Sequence, residues 1–489
     1  MEQCTLVIRD EVNVKIEGLD PFVRRKVSEA LKFMVPYARH MPSFKMGRWD
    51  GKKTFCSVGG VTYINLLERV IPLIQENGYV ISIDDRRSER DPFVFPEISE
   101  TMFSHKLWPE GHPIAGEPIV LRDYQVKVIE NFCNNQGAIQ NVATGAGKTV
   151  TCAALSSIVE PYGRSLLIVP NRSLVEQTED DYRNLGLDVG VIYGGRHEYG
   201  HTHTIATWQS LVSVSKKTKA GVAEINFPEL VKDVVCVIVD EVHTVKGEEL
   251  KELLCGQLAN IPLRWGFTGT VPKEDHEFLC LLAALGPVVG EVKASELQEK
   301  GVLAECDIEI IQLIDDHVEF AEYHDEHKYL LTDPERLEWI GGFATSLSES
   351  GNVLILIDRI ETGKMLRDII PESTFVSGVT KTKDRRTEYK SVKEGGDKVL
   401  IATSGVAAVG ISITHIDHIL FLSYGKAFTK VIQSIGRGLR KGGDKTKVQV
   451  YDVCSTMKFD KRHLSKRKSY YAEAEYPYKQ RKVDYRKKR

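Results

Sequence analysis

Between Asn141 and Thr149 the chain reads Asn-Val-Ala-Thr-Gly-Ala-Gly-Lys-Thr, and about ninety residues later Asp240-Glu241-Val242-His243 closes a strongly apolar run. The glycines of the first segment let the backbone amides of Thr144, Gly145, Ala146 and Gly147 close around a polyphosphate. Lys148 supplies a point charge to its outer phosphates, and the Thr149 hydroxyl reaches Mg²⁺. Asp240 is placed to hold the same metal and Glu241 to orient a water. Either segment alone is a common kind of turn. Found in this order, with apolar runs at 166–170 and 234–239 to supply the strands, they imply a motor that hydrolyses ATP with Mg²⁺.

Such loops need strands to carry them. After Leu121, apolar runs at 165–169, 204–207, 234–239 and 265–268 alternate with amphipathic helical stretches. Buried parallel strands read as uninterrupted apolar runs, so the pattern predicts a doubly wound α/β domain. A second series follows at 353–357, 374–376, 398–402, 418–422 and 448–453, without a phosphate loop of its own. Two such sheets sharing one loop suggest a nucleotide site completed by charges from the second half. Ahead of both, β-like runs at 5–8, 12–16, 54–56 and 79–83 surround helical stretches at 22–35 and 65–77, which predicts a small α+β module. The charged string 84–91, then Pro92 and Pro96, marks its end. The expected division is 1–92, 93–292, 293–455 and a basic, tyrosine-rich segment 456–489.

At 489 residues the chain is long enough for several domains, and 42% hydrophobic with 27% charged residues fits a globular protein. No apolar run approaches the roughly 18 residues of a membrane span, and the first ten residues lack the order of a signal peptide, so a cytoplasmic location is expected. Nine scattered cysteines without a Cys-x-x-Cys pair argue for reduced, mostly buried thiols. His324, Asp325, Glu326 and His327 read as a solvated helix rather than a metal site. The net charge of −3 hides a basic tail from Lys458 to Arg489, in which Tyr470, Tyr471, Tyr476, Tyr478 and Tyr485 interleave with Lys and Arg. Basic groups neutralise phosphates and aromatic rings offer faces to bases, so the tail is a candidate nucleic-acid contact beside the reading as a solubilising tail.

With these motifs the chain resembles helicase superfamily two, whose members carry two tandem RecA-like domains. Leu121-Arg122-Asp123-Tyr124-Gln125 is similar to the adenine-recognising element, in which Gln125 would read the base edge while Tyr124 or Arg122 stacks or braces it. Gly145, Gly147, Lys148 and Thr149 match the phosphate loop, with Val142 where strict loops have Gly. Gln433-Ser434-Ile435-Gly436-Arg437-Gly438-Leu439-Arg440 resembles the element whose arginines reach the γ-phosphate, and Gly410 belongs to the second-half element that touches nucleotide. His243, Thr268 and Thr270 would couple hydrolysis to movement. The resemblance implies nucleic-acid contacts from Arg172, Gly195, Thr207 and Gln209 in the first domain and from Ser377 and Thr403 in the second, mostly to phosphate and sugar.

A narrower resemblance is to the phage UvsW-type branch-migrating helicases. Phe44 to Lys53, Phe-Lys-Met-Gly-Arg-Trp-Asp-Gly-Lys-Lys, is similar to the Gly-x-Trp-Asp-Gly turn of their N-terminal domain, and Ser295 to Gly301 is similar to their crossover into the second domain. It implies DNA contacts from Arg48, Trp49, Lys52 and Lys53, a monomer, and branched or duplex DNA as substrate, with RNA–DNA hybrids included. The expected activity is ATP-dependent branch migration in recombination, replication and repair. Two other readings stand beside it: an RNA helicase, and a nucleotide-switched adaptor that binds junctions without translocating.

Overall fold

The computed structural model describes residues 2–108, 110, 114–243, 248–272, 275–303, 305–315, 318–377, 399–403, 416–422, 447–473 and 475–487. It divides into two compact units, 1–142 with 147–291, and 143–146 with 292–489.

The first unit begins with a four-stranded sheet. β1 (Glu2–Ile8) lies between β2 (Asn13–Glu17), antiparallel, and β6 (Tyr79–Asp85), parallel, with β5 (Val61–Tyr63) outside β2. Helices Pro21–Ala30 and Leu67–Glu76 cover its apolar face. Asp20 caps the first helix by accepting from the amides of Phe22 and Val23. The helix expected over 22–35 stops early because Lys32–Met34 (β3) pairs antiparallel with Lys52–Thr54 (β4), a long-range partner that overrides local propensity. The core of this module, with Leu6, Ile16, Val27, Phe55 and Val70, continues into Leu279, Cys280 and Ala283 of the helix Asp275–Leu285.

That helix belongs to the larger sheet of the unit. β7 (Gly137–Val142), β8 (Arg164–Val169), β9 (Val189–Tyr193), β10 (Arg196–His197), β11 (His203–Thr207), β12 (Val234–Val239), β13 (Leu263–Thr268) and β14 (Val288–Val292) are ordered β10-β9-β11-β8-β12-β13-β7-β14. The pairs β9–β11, β11–β8, β8–β12, β12–β13 and β13–β7 are parallel. Ile168, Val237, Val239 and Leu281 lie in its core, and the fully buried Arg264 donates to the carbonyls of Leu254, Leu258 and Ala284, which satisfies helix ends that would otherwise be orphaned. Burial lowers the Arg264 pKa to about 10.

In the second unit β15 (Glu305–Leu313), β16 (Val353–Ile357), β17 (Ser373–Val376), β18 (Val399–Thr403), β19 (His418–Leu422), β20 (Lys447–Ser455) and β21 (Tyr478–Val483) form an all-parallel sheet in the order β17-β18-β16-β19-β20-β15-β21. The architecture is α/β, two doubly wound RecA-like sheets with a small N-terminal α+β sheet.

The basic C-terminal segment is folded. Its helix Lys458–Glu473 packs on the sheet and β21 extends it beyond β15. Tyr471 is fully buried with its hydroxyl donating to Asp452 Oδ2 at 2.9 Å, and Tyr476 is buried as well. These two rings are core, which corrects the expectation that they offer faces to bases. Tyr485 donates to Asp315 Oδ1 at 2.7 Å. Two buried ion pairs, Arg467 with Asp452 at 2.8 Å and Arg336 with Asp315 at 2.7 Å, tie the segment and the helix Pro334–Ser348 to the strands beneath. The nine cysteines are free thiols, buried or half-buried. Among the described residues no helix is long and apolar enough to cross a membrane.

Candidate functional site

Ligands of doubly wound sheets sit at the carboxyl ends of their strands, and β7, β13 and β12 are neighbours in this sheet. Each of the three ends in one of the predicted elements. β7 runs into the loop 143–147, where Gly145 (φ 91°) and Gly147 (φ 82°) adopt the left-handed conformation that brings backbone amides around an anion. The helix Lys148–Val159 starts directly afterwards, with Thr149 in its first turn. A helix start adds unsatisfied amides and a favourable dipole for phosphate.

β12 ends at Val239 and runs directly into Asp240, whose amide still bonds to Ile168 O at 2.9 Å, so the sheet fixes where this carboxylate begins. Asp240 Oδ1 accepts from the amide of Glu241 at 3.0 Å, and Glu241 is one of three non-glycine residues at positive φ among the described residues, at 53°. Such a backbone costs an L-residue roughly 1–2 kcal/mol and persists where the surroundings hold it. Here it turns the carboxylate back to Lys148, with Nζ 3.3 Å from Glu241 Oε1 and 3.5 Å from the carbonyl of Val142. His243 Nδ1 lies 3.5 Å from Glu241 Oε2. Burial favours the neutral form of Lys148, yet the Glu241 and Asp240 carboxylates outweigh it and hold the pKa above that of an ordinary lysine. β13 ends at the fully buried Thr268, whose Oγ1 donates to Thr270 O at 2.7 Å and closes a local turn.

The expected adenine element joins this arrangement through Gln125. Its Oε1 accepts from the Arg122 amide at 2.9 Å, and its Nε2 lies 3.4 Å from Gly147 O in the phosphate loop. A Cβ on Gly147 would stand 2.6 Å from the same Nε2. Tyr124 is buried and its hydroxyl accepts from Arg122 Nη1 at 2.9 Å, which leaves Arg122 as the exposed member of the pair. A cationic loop at a helix start, two adjacent carboxylates at a neighbouring strand end and an amide side chain bonded to the loop fit a nucleoside triphosphate and a hard divalent cation.

Residues 118–273 match the family described as type III restriction enzyme, res subunit, and residues 335–442 match the helicase conserved C-terminal domain. The chain is a superfamily two helicase. Its activity is that of an ATP-dependent helicase. It is similar to the ATP-dependent DNA helicase uvsW of Enterobacteria phage T4, with 24% identity over 453 residues covering 88% of this chain and 87% of the relative. It is also similar to the DNA 3'-5' helicase XPB of Kineococcus radiotolerans, with 26% identity over 396 residues covering 76% of this chain and 66% of the relative. Among solved structures, a fragment assigned to the HsdR subunit of a type I restriction enzyme from Vibrio vulnificus superposes with a TM-score of 0.55 at 15% identity, covering 74% of this chain and 69% of that one, a likeness of fold.

The other expected contact residues of the helicase fall at the same kind of strand end. Arg172 opens the helix after β8, exposed and paired with Glu176 at 3.0 Å, while Gly195 (φ 92°) lies in the β9–β10 turn. Thr207 is buried and spends its hydroxyl capping the helix Trp208–Lys219, so within that pair only Gln209 is exposed. Ser377 and Thr403 follow or end the neighbouring strands β17 and β18, both buried. Gly410, Gln433, Arg437 and Arg440 lie outside the described residues.

The N-terminal turn is built by β3 and β4. Trp49 is half-buried, its Nε1 donating to Lys52 O at 2.7 Å, while Arg48 and Lys52 are exposed and Lys53 is half-buried. Gly51 (φ 79°) is required twice over, since a Cβ there would also meet the Phe44 ring at 2.8 Å. Sequence reasoning missed Lys32, whose Nζ lies 2.9 Å from Asp50 Oδ2 and pins the turn. Nothing local in the sequence connects positions so far apart.

Proposed function

We propose that this helicase is an ATP-driven DNA translocase that remodels branched DNA, moving the branch points of Holliday junctions, forks, displacement loops and RNA–DNA hybrids in recombination, replication and repair. The observation that carries the reading is the exposed basic turn of Arg48 and Lys52, on a module whose core continues into the Asp275–Leu285 helix of the motor sheet. A strand-tracking motor moves a branch when a second DNA-gripping element is fixed to it. The relatives named DNA helicases support DNA over RNA as the track.

In this reading Arg122 and Gln125 hold the adenine, and the loop amides with Lys148 hold the phosphates. Glu241 orients the attacking water. Thr149 and Asp240 would hold Mg²⁺, which when bound neutralises charge on the phosphates. Arg437 and Arg440, with Gln433 and Gly410, meet the γ-phosphate from the second half. His243, Thr268 and Thr270 pass the loss of that phosphate on to the strand contacts at Arg172, Gly195, Gln209, Ser377 and Thr403.

The test is strand exchange by the full chain on a synthetic four-way junction, beside an RNA duplex. ATP-dependent conversion of the junction, with the RNA duplex left intact, is expected. Preferential opening of the RNA duplex would favour an RNA helicase, and nucleotide-dependent junction binding without strand exchange would favour an adaptor.

A further inference from the structure

The hairpin that presents the basic turn carries apolar side chains that the motor does not use. Within residues 35–51, which connect β3 to β4, Val35, Ala38 and Gly51 are the buried positions. Such small residues cannot cover large neighbours. Tyr37 (42% exposed), Met41 (37%) and Met46 (57%) therefore stand in solvent, with Met34 (45%) at the base of the hairpin. The segment is nevertheless well ordered by its own backbone. Ala38 N bonds to Val35 O, His40 N to Tyr37 O, Met46 N to Pro42 O and Arg48 N to Ser43 O, each at 2.9–3.0 Å. Met41 and Met46 flank the single helical turn Pro42–Lys45, one before it and one after. Phe44 and Met34 close together over Gly51.

Exposed methionine and aromatic groups carried on one hydrogen-bonded hairpin mark a contact surface. Charge decides the partner. Residues 34–54 contain Arg39, Lys45, Arg48, Lys52 and Lys53 against Asp50 alone, and Asp50 is engaged by Lys32. Exposed apolar side chains on a hairpin tip that also carries this many cations suit a ligand that offers flat apolar faces within a phosphate frame, which describes nucleobases at an opened duplex. Apolar side chains inserted at a base step unstack it, and aromatic rings stack on the bases released.

We propose that this tip is a branch-point wedge. Tyr37, Met41 and Met46 press against the first base pair where two DNA arms diverge, and Arg39, Lys45, Arg48 and Lys52 hold the phosphates on either side. The inference rests on the reading that the basic turn meets DNA and adds to it the part of the DNA that the module recognises.

The experiment compares two full-length variants, Tyr37→Ser/Met41→Ser/Met46→Ser and Arg48→Gln/Lys52→Gln, on plain duplex and on a four-way junction with 2-aminopurine at the branch. The apolar triple should keep plain-duplex affinity, its salt dependence and DNA-independent ATP turnover. It should lose the 2-aminopurine fluorescence rise on binding and slow branch migration by roughly tenfold, the order expected for lost base stacking. Met46→Ser alone, at the most exposed position, should shift the same signal in the same direction. The basic double should weaken binding to both DNAs and make the salt slope shallower by roughly 0.9 per lost contact. If the apolar triple migrates junctions at the wild-type rate with its fluorescence signal intact, the wedge is overturned. A triple that also loses plain-duplex affinity overturns it as well, because the tip is then part of a general grip. An unchanged basic double would instead remove the DNA-gripping reading itself.

Discussion

Lys148 Nζ and Glu241 Oε1 lie 3.3 Å apart, so the cation of the phosphate loop and the carboxylate that would orient water form one ion pair. Each limits the other. On the proposed roles, phosphates that draw Lys148 to themselves would release Glu241 to act on water, which would tie its readiness to nucleotide occupancy. Lys148→Ala should reduce ATP turnover by roughly 10²–10³ or more, the cost of deleting a preorganised charge donor. Glu241→Gln should bind ATP at least as well as the parent, because the amide no longer competes as an anion for Lys148, while turning over little. Filter binding and steady-state hydrolysis separate the two effects, and near-normal turnover in either variant would contradict the assignment.

Gln125 bonds the Arg122 amide and reaches Gly147 O, so the side chain proposed to read the base also touches the phosphate loop. Replacing Gly147 by Ala places a methyl 2.6 Å from Gln125 Nε2 at φ 82° and must push the amide aside. Gly147→Ala should therefore raise KM for ATP with little loss of folding, and Gln125→Ala should reduce preference for ATP over GTP by roughly ten- to a hundredfold, the worth of one or two unmade buried hydrogen bonds. Parallel titrations with both nucleotides test this. Unchanged selectivity in Gln125→Ala would assign the base contact elsewhere.

Arg440→Ala and Arg437→Ala probe the second half. A guanidinium that meets the γ-phosphate strengthens its contact as charge spreads in phosphoryl transfer, so its removal should lower the maximal rate by roughly 10³–10⁵ while ATP binding changes far less. A variant with weakened binding and an unchanged maximal rate would place the arginine outside the reaction.

The phosphate loop was legible as a short local motif by itself, and the Asp240–His243 element because it also closes a strand, β12, whose burial is written continuously in the sequence. The runs at 234–239, 353–357 and 418–422 coincide with β12, β16 and β19 for that reason. β15 was hidden by Glu305, Asp307 and Glu309, half of a pattern that becomes a strand only between β20 and β21. β21 itself reads Tyr-Lys-Gln-Arg-Lys-Val, the composition of a tail, and is held as an edge strand by β15. β7 escaped notice because Gln140 is polar and yet fully buried, its amide bonded to Val128 O. The shared core of the N-terminal module and the helix Asp275–Leu285 was equally invisible, and it changes how the module is tested. Deleting 1–92 would strip Leu279, Cys280 and Ala283 of their cover, so point changes at Arg48 and Lys52 are the cleaner variants.

A last prediction concerns acid sensitivity of the first unit. His203 on β11 is 1% exposed, its Nδ1 2.9 Å from Ser165 Oγ, which continues to Ser156 Oγ at 3.2 Å and on to Tyr182 Oη at 3.0 Å. Burial pushes the imidazole down to about 4; Asp188 opposes this and Lys106 adds to it. In the unfolded chain the same ring titrates near ~6.5. Above that pH both states are neutral at this position and stability does not change with it. Between about 6.5 and 4 the unfolded chain takes up a proton that the folded chain refuses, so stability falls as pH is lowered, by roughly 3 kcal/mol at the end of the window. Below it both states are protonated and the loss levels off. His203→Gln keeps a polar group beside Ser165 without a titrating ring, so its folding stability should start lower at neutral pH and decline less steeply through the same window. Denaturant unfolding of both proteins across that range measures the difference in slope. Parallel declines would mean that His203 is charged and accommodated in the fold, and that the acid sensitivity of this unit comes from its carboxylates.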